Sequence, residues 1–120
     1  MKLEDLKVYQ LAMEIGDEIY FLVEKWDNFH KWTTGKQLVE AVDSIAANIS
    51  EGYGRYFYKE NRQFQYYSRG SQLETRTWLT KVFQRKHIDE QTYQSLIEKL
   101  DELGKRDNAY INSIGHSSSK

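Results

Sequence analysis

The sequence predicts an all-α protein, an antiparallel up-down four-helix bundle, on three observations. Proline is absent from all 120 residues, which favours long uninterrupted helices and removes a common punctuator of strands and loops. Apolar residues recur at intervals of three and four through four segments, and no segment alternates with period two. The connections between those segments are short, which makes successive helices antiparallel neighbours. A chain of this length forms one domain, placed at residues 1–115, and buries about two thirds of its unfolded surface.

The first helix runs from about Leu6 to Lys25, where Val8, Leu11, Ala12, Ile15, Ile19 and Leu22 trace one face. Residues 26–32 break that period and read as a loop whose aromatics cover the end of the bundle. The second helix begins after Thr34, because Thr34-Gly-Lys-Gln37 fits a capping box. Gly52 and Gly54 suit its end, since glycine accepts left-handed backbone angles.

The third helix spans about Tyr58 to Lys86, with Phe64, Tyr67, Ser71, Glu74, Trp78 and Val82 as its inward face. Gly70 lies in its middle at a cost of about 1 kcal/mol relative to alanine. Close approach of another helix is the expected reason to keep it, and a merely tolerated glycine is the alternative. Asp89 caps the fourth helix, with Ile88 and Tyr93 placed as a hydrophobic staple. Tyr93, Leu96, Leu100, Leu103, Tyr110 and Ile114 supply its buried side. Residues 116–120 have no periodicity and read as a disordered tail.

Composition narrows the function. There is no cysteine, so disulfides, thiolate metal sites and cysteine nucleophiles are excluded, and a cytoplasmic location is expected. The N-terminus is acidic where a signal peptide would be apolar, and no run approaches the roughly 18 apolar residues of a membrane span. The expected protein is soluble and has no membrane partner.

Net charge is −1, yet charge is segregated along the chain. Residues 1–54 hold 5 Lys+Arg against 10 Asp+Glu, residues 55–87 hold 8 against 2, and residues 88–120 hold 4 against 6.

Two patterns carry the functional reading. Gln37, Ala41, Ser44, Asn48 and Glu51 fall at helical spacing beside the apolar stripe Leu38, Val42, Ile45 and Ile49. A small-and-polar face next to an aliphatic one predicts a helix packed on two sides, and ordinary solvent-facing residues beside a narrow core are the alternative. Gln37, Ser44, Asn48 and Glu51, with Ser71 and Glu74 of the third helix, read as a structural polar network fixing helix register. The alternative is a ligand-binding or catalytic pair formed by Glu51 and Glu74.

Arg55, Arg62, Arg69 and Arg76 are seven residues apart and form a nearly straight stripe, because a heptad drifts only about 20° per step. Lys59 and Tyr66 join it. Such a stripe binds nucleic acid through phosphates and stacked bases, or forms a subunit interface, or is a solvated face. In the interface reading, Glu14, Asp17, Glu18 and Glu24 of a neighbour supply the counter-charge.

No catalytic residue, metal site or cofactor site is expected. A bundle di-metal centre needs two Glu-x-x-His motifs, and His30, His87 and His116 do not supply them. Glycine-rich phosphate loops and the Gly-x-Ser-x-Gly elbow are absent.

Three places carry a resemblance: Asp5-Leu6-Lys-Val8-Tyr9-Gln-Leu-Ala12, then Gln37 through Ala41 with Ser44-Ile45, Asn48-Ile49 and Glu51-Gly52, then Gly70-Ser71-Gln-Leu-Glu74. In that order the chain resembles the family of four-helix bundle proteins encoded in intervening sequences of 23S ribosomal RNA genes. That family includes the accessory variability protein of diversity-generating retroelements. The resemblance implies a homopentameric, barrel-like ring, and a basic ring surface that engages RNA and a nucleoprotein partner. Two departures stand out. Ala46-Ala47 occupies a place where proline is common, and this chain is slightly acidic where the retroelement protein is strongly basic. The expected function is therefore a non-enzymatic, self-associating helical scaffold, with direct RNA or DNA binding as the alternative.

Overall fold

The computed structural model describes residues 1–115, so the tail expected at 116–120 lies outside the described residues. After a short 3₁₀ turn at Leu3–Asp5 come α1 (Lys7–Glu24), the single turn α2 (Asn28–His30), a π turn (Lys31–Gly35), α3 (Lys36–Tyr53), α4 (Tyr58–Gln84) and α5 (Glu90–Ser113). The turn α2, the π turn and α3 follow one another without a break, so four helical rods form the bundle. No strand occurs among the described residues. The molecule is elongated, 48 × 23 × 20 Å.

Side-chain pairs show that the rods alternate in direction. Residue numbers fall on one helix as they rise on its neighbour: Ser44 meets Ser71 and Ile49 meets Gln65 across α3 and α4. Arg62 meets Ile114 and Arg76 meets Asp101 across α4 and α5. Both α1 and α4 pack on α3 and on α5, which puts α1 and α4 at diagonal corners.

The core is aliphatic where the sequence is. Val8, Ala12, Ile15, Ile19 and Val23 of α1 meet Leu38, Val42, Ile45 and Ile49 of α3 and Leu96, Leu100 and Leu103 of α5. Asp89 caps α5 by accepting from the Thr92 amide at 2.7 Å.

Several expectations fail for identifiable reasons. The second rod starts at Asn28, capped by Asp27, so residues 28–32 are helical and Thr34-Gly-Lys-Gln37 is not a capping box. Thr34 is buried and accepts from Arg85 at 2.8 Å. Phe29 and Trp32 do not cover the bundle end: they are 71% and 66% exposed, while Trp26 packs on the core.

The glycines exchange the roles expected of them. Gly54 keeps an ordinary right-handed backbone, φ −79°. Gly52 is needed for space, since a Cβ there would lie 2.6 Å from Gln65 Nε2 and 2.9 Å from the Asn61 carbonyl oxygen. Gly70, the expected contact point, has nothing within 4 Å of its Cβ position and faces outward. The left-handed turn falls instead at Lys86, φ 67°, where the His87 amide donates to the Val82 carbonyl at 2.9 Å to close α4.

Candidate interaction surface

The inward face of α4 is mostly polar. Asn61, Gln65, Ser68, Gln72, Thr75, Leu79 and Val82 are buried, at an unbroken spacing of four and three. Trp78 packs against the core as expected, but Phe64 and Tyr67 are not inner residues, and Tyr67 is half exposed. The overlooked signal is chemical: none of those seven inner positions carries a charge, in a helix rich in arginine.

Buried amides demand partners, and neighbouring helices supply them. Gln65 Nε2 donates to the Ile49 carbonyl at 3.2 Å and to Asn61 Oδ1 at 3.0 Å. Asn61 Nδ2 donates to the Tyr110 hydroxyl at 3.1 Å. Gln72 Nε2 donates to Asp107 Oδ2 at 2.9 Å. Two oxygens, Gln65 Oε1 and Asp107 Oδ1, are buried without a hydrogen bond. Burial pushes the Asp107 carboxyl up to about 6, against the opposing pull of Gln72 and Arg69.

The expected polar network divides in two. Asn48 Nδ2 donates to Ser44 Oγ at 3.1 Å, and Ser44 Oγ lies 2.9 Å from Ser71 Oγ, joining α3 to α4. Gln37, Glu51 and Glu74 do not belong to it, because all three are exposed. Glu51 pairs with Arg55 at 3.6 Å. At 1.5 Å per residue, Glu51 and Glu74 stand about 15 Å apart along the bundle, so they form no carboxylate pair.

Three arginines of the stripe lie along the α4–α5 seam, whereas Arg55 sits in the turn before α4 and pairs with Glu51 of α3. Arg62 donates to the Ile114 carbonyl at 3.1 Å, Arg69 to Asn108, and Arg76 to Asp101. Arg62 and Arg69 bond neutral acceptors, with the charge of Arg69 also acting on the buried Asp107 carboxyl, whereas Asp101 pairs with the charge of Arg76. Arg55 sits over the Phe64 ring at 4.7 Å and Arg69 beside the Tyr66 ring at 5.2 Å. Arg62, Tyr58 and Tyr66 border one shallow recess with Ile111 and Asn112 of α5, and Lys59 projects into solvent nearby.

Apolar side chains stand outside the core at both ends. Tyr56, Phe57 and Tyr58 at the α3–α4 turn are 88%, 60% and 41% exposed. At the other end, Tyr20, Phe21, Phe29 and Trp32 are exposed. Among the described residues, no group of three or more His, Asp or Glu is placed to hold a metal ion, and no helix is long and apolar enough to cross a membrane.

A family model described as 23S rRNA-intervening sequence protein matches residues 4–109. The chain is similar in fold to a crystal structure of a protein of unknown function, from the S23 ribosomal protein family of Bacteroides thetaiotaomicron. The TM-score is 0.81 at 23% identity, over 88% of this chain and 95% of that one. None of the curated proteins matches.

Proposed function

The chain belongs to the 23S rRNA-intervening sequence protein family, and on that premise we propose that it is a non-enzymatic, self-assembling helical scaffold. The observation that carries this reading is the set of exposed aromatic side chains at the two ends of the bundle. A monomer gains nothing from holding Tyr56, Phe57, Phe29 and Trp32 in water, whereas a second copy would remove them from it. The family resemblance supports a pentamer. The exposed and separated Glu51 and Glu74 speak against the enzyme alternative. Light scattering across a concentration series is the test: a stable multiple of the 14.3 kDa chain is expected, and a concentration-independent monomer would overturn the reading.

RNA binding is the second reading, favoured by one observation. Arg62 and Arg69 hydrogen-bond to neutral acceptors beside the exposed rings of Tyr58 and Tyr66. Guanidinium groups next to accessible rings suit a single strand, with phosphates on the arginines and bases on the tyrosines. Lys59→Glu with Arg69→Glu, both at exposed positions, should weaken binding to a single-stranded RNA. The log-log salt slope should shrink by about 0.7 for each phosphate no longer neutralised. An unchanged affinity and slope would remove the seam from that role.

A further inference from the structure

Two grooves run along opposite sides of the bundle, because α1 and α4 occupy diagonal corners. The first lies between α1 and α3. Small residues, Ala12, Gly16, Ala46 and Ala47, line it beside Tyr9, Met13 and Val42, and Asp17 and Asp43 lie along it. Gly16 is part of the construction: a Cβ there would lie 3.1 Å from Asp43 Oδ1, so the carboxylate leans across the glycine. Among the described residues, neither aspartate lies within ion-pair distance of a cation. The Asp43 carboxyl is raised by partial burial and by the charge of Asp17. This groove lacks a counter-charge and has room for a side chain.

The second groove lies between α4 and α5, on the far side. Arg69, Arg76 and Lys105 line it together with two acids, Asp101, which pairs with Arg76, and the buried Asp107, on which the charge of Arg69 acts. Leu73 stands at its edge, 61% exposed between the two arginines in sequence. An aliphatic side chain in water, flanked by guanidinium groups, is the complement of an apolar floor rimmed by carboxylates.

We propose that these two grooves are the two halves of one interface between copies of this chain. Leu73 of one copy seats over the Ala12–Gly16–Ala46–Ala47 floor of the next, and Arg69 and Lys105 meet Asp17 and Asp43. The occupant follows from charge: residues 1–54 hold twice as many acids as bases, and residues 55–87 hold four times as many bases as acids. Joining different faces of identical chains gives a head-to-tail contact, which closes into a ring when the rotation per subunit closes. This inference rests on the self-assembly proposed above and adds the surfaces that would make it.

The test is charge reversal with complementation. One variant carries Asp17→Lys and Asp43→Lys, the other Arg69→Glu and Lys105→Glu, and circular dichroism establishes that both keep their helices. Each alone should raise the concentration at which the assembly dissociates by at least tenfold in light scattering. A single chain carrying all four changes should reassemble, since its two reversed grooves match each other again. Unaltered assembly of either variant would overturn the pairing, as would a chain with all four changes that stays dissociated. A wild-type monomer would instead overturn the self-assembly reading itself, so the two failures are distinguishable. Leu73→Asn serves as a charge-independent check and should weaken assembly of the wild-type background.

Discussion

Asp107 is the residue whose chemistry is most altered by folding. Its side chain is 1% exposed, one oxygen accepts from Gln72 and the other has no hydrogen bond. Burial raises its carboxyl from 3.8 in the unfolded chain to about 6 in the fold. The folded state therefore binds the proton more tightly. The contribution of Asp107 to stability is greatest below the unfolded value, falls as pH rises through the folded value, and stays low above it. Asp107→Asn should add about 1–3 kcal/mol at neutral pH, because a shift of this size carries about 1.4 kcal/mol per unit and Asn keeps an acceptor for Gln72. The difference between variant and parent, read from urea unfolding at pH 4 to 8, should shrink toward acid. A constant difference across that range would place the carboxyl in water. Position 107 was legible as helical, but its burial was not: periodicity marks apolar residues, and aspartate is rarely buried.

At the scale of the helix, the two glycines of α3 and α4 make opposite forecasts. Gly52→Ala should destabilise the fold by about 1–3 kcal/mol, since the added methyl meets a backbone oxygen of α4 as well as two amide side chains. Gly70→Ala should stabilise the folded chain by about 0.5–1 kcal/mol, because its surroundings are open and alanine narrows the unfolded ensemble. Chemical denaturation of both variants checks the pair, and equal effects would contradict the packing described. Helix positions were well marked by spacing. Facing directions were marked only where the inner residues are aliphatic, as along Ile15, Ile19, Leu38 and Ile45. On α4 the aromatic residues misled, because the true seam of Asn61, Gln65, Ser68, Gln72 and Thr75 is polar and its hydrogen bonds come from other helices. The helix start within residues 26–35 is hidden for a related reason. Thr34 looks like a cap locally, yet it is buried at the end of a π turn and bonded to Arg85 from a different rod.

For the whole molecule, segregation of charge governs behaviour that no single contact does. The acidic α1–α3 side and the basic α4–α5 side face opposite ways on a rod 48 Å long. Association through such faces weakens with salt. Raising ionic strength from about 0.1 M to about 1 M shortens the screening length from about 10 Å to about 3 Å, and the assembly should dissociate at higher concentration. Assembly that tightens with salt throughout would indicate contacts made by the aromatic ends alone. Within one chain, part of the arginine stripe already has a partner: Arg76 pairs with Asp101 of α5. Acids on the same helix are too few to supply that partner, and the next helix brings it.

The sequence by itself determined the four rods, their order, the aliphatic half of the core and the separation of charge. These follow from spacing and composition, which are properties of the chain read in one dimension. The tertiary structure alone decided which polar residues are inside. It made Gly52 a contact and Gly70 an open surface, and it laid the arginine stripe against α5. The reason is physical: a stripe of aliphatic side chains along a helix is driven inward by water's rejection of it, whichever helix it meets. An amide, a carboxylate or a glycine is buried only if another helix brings a partner or needs the space.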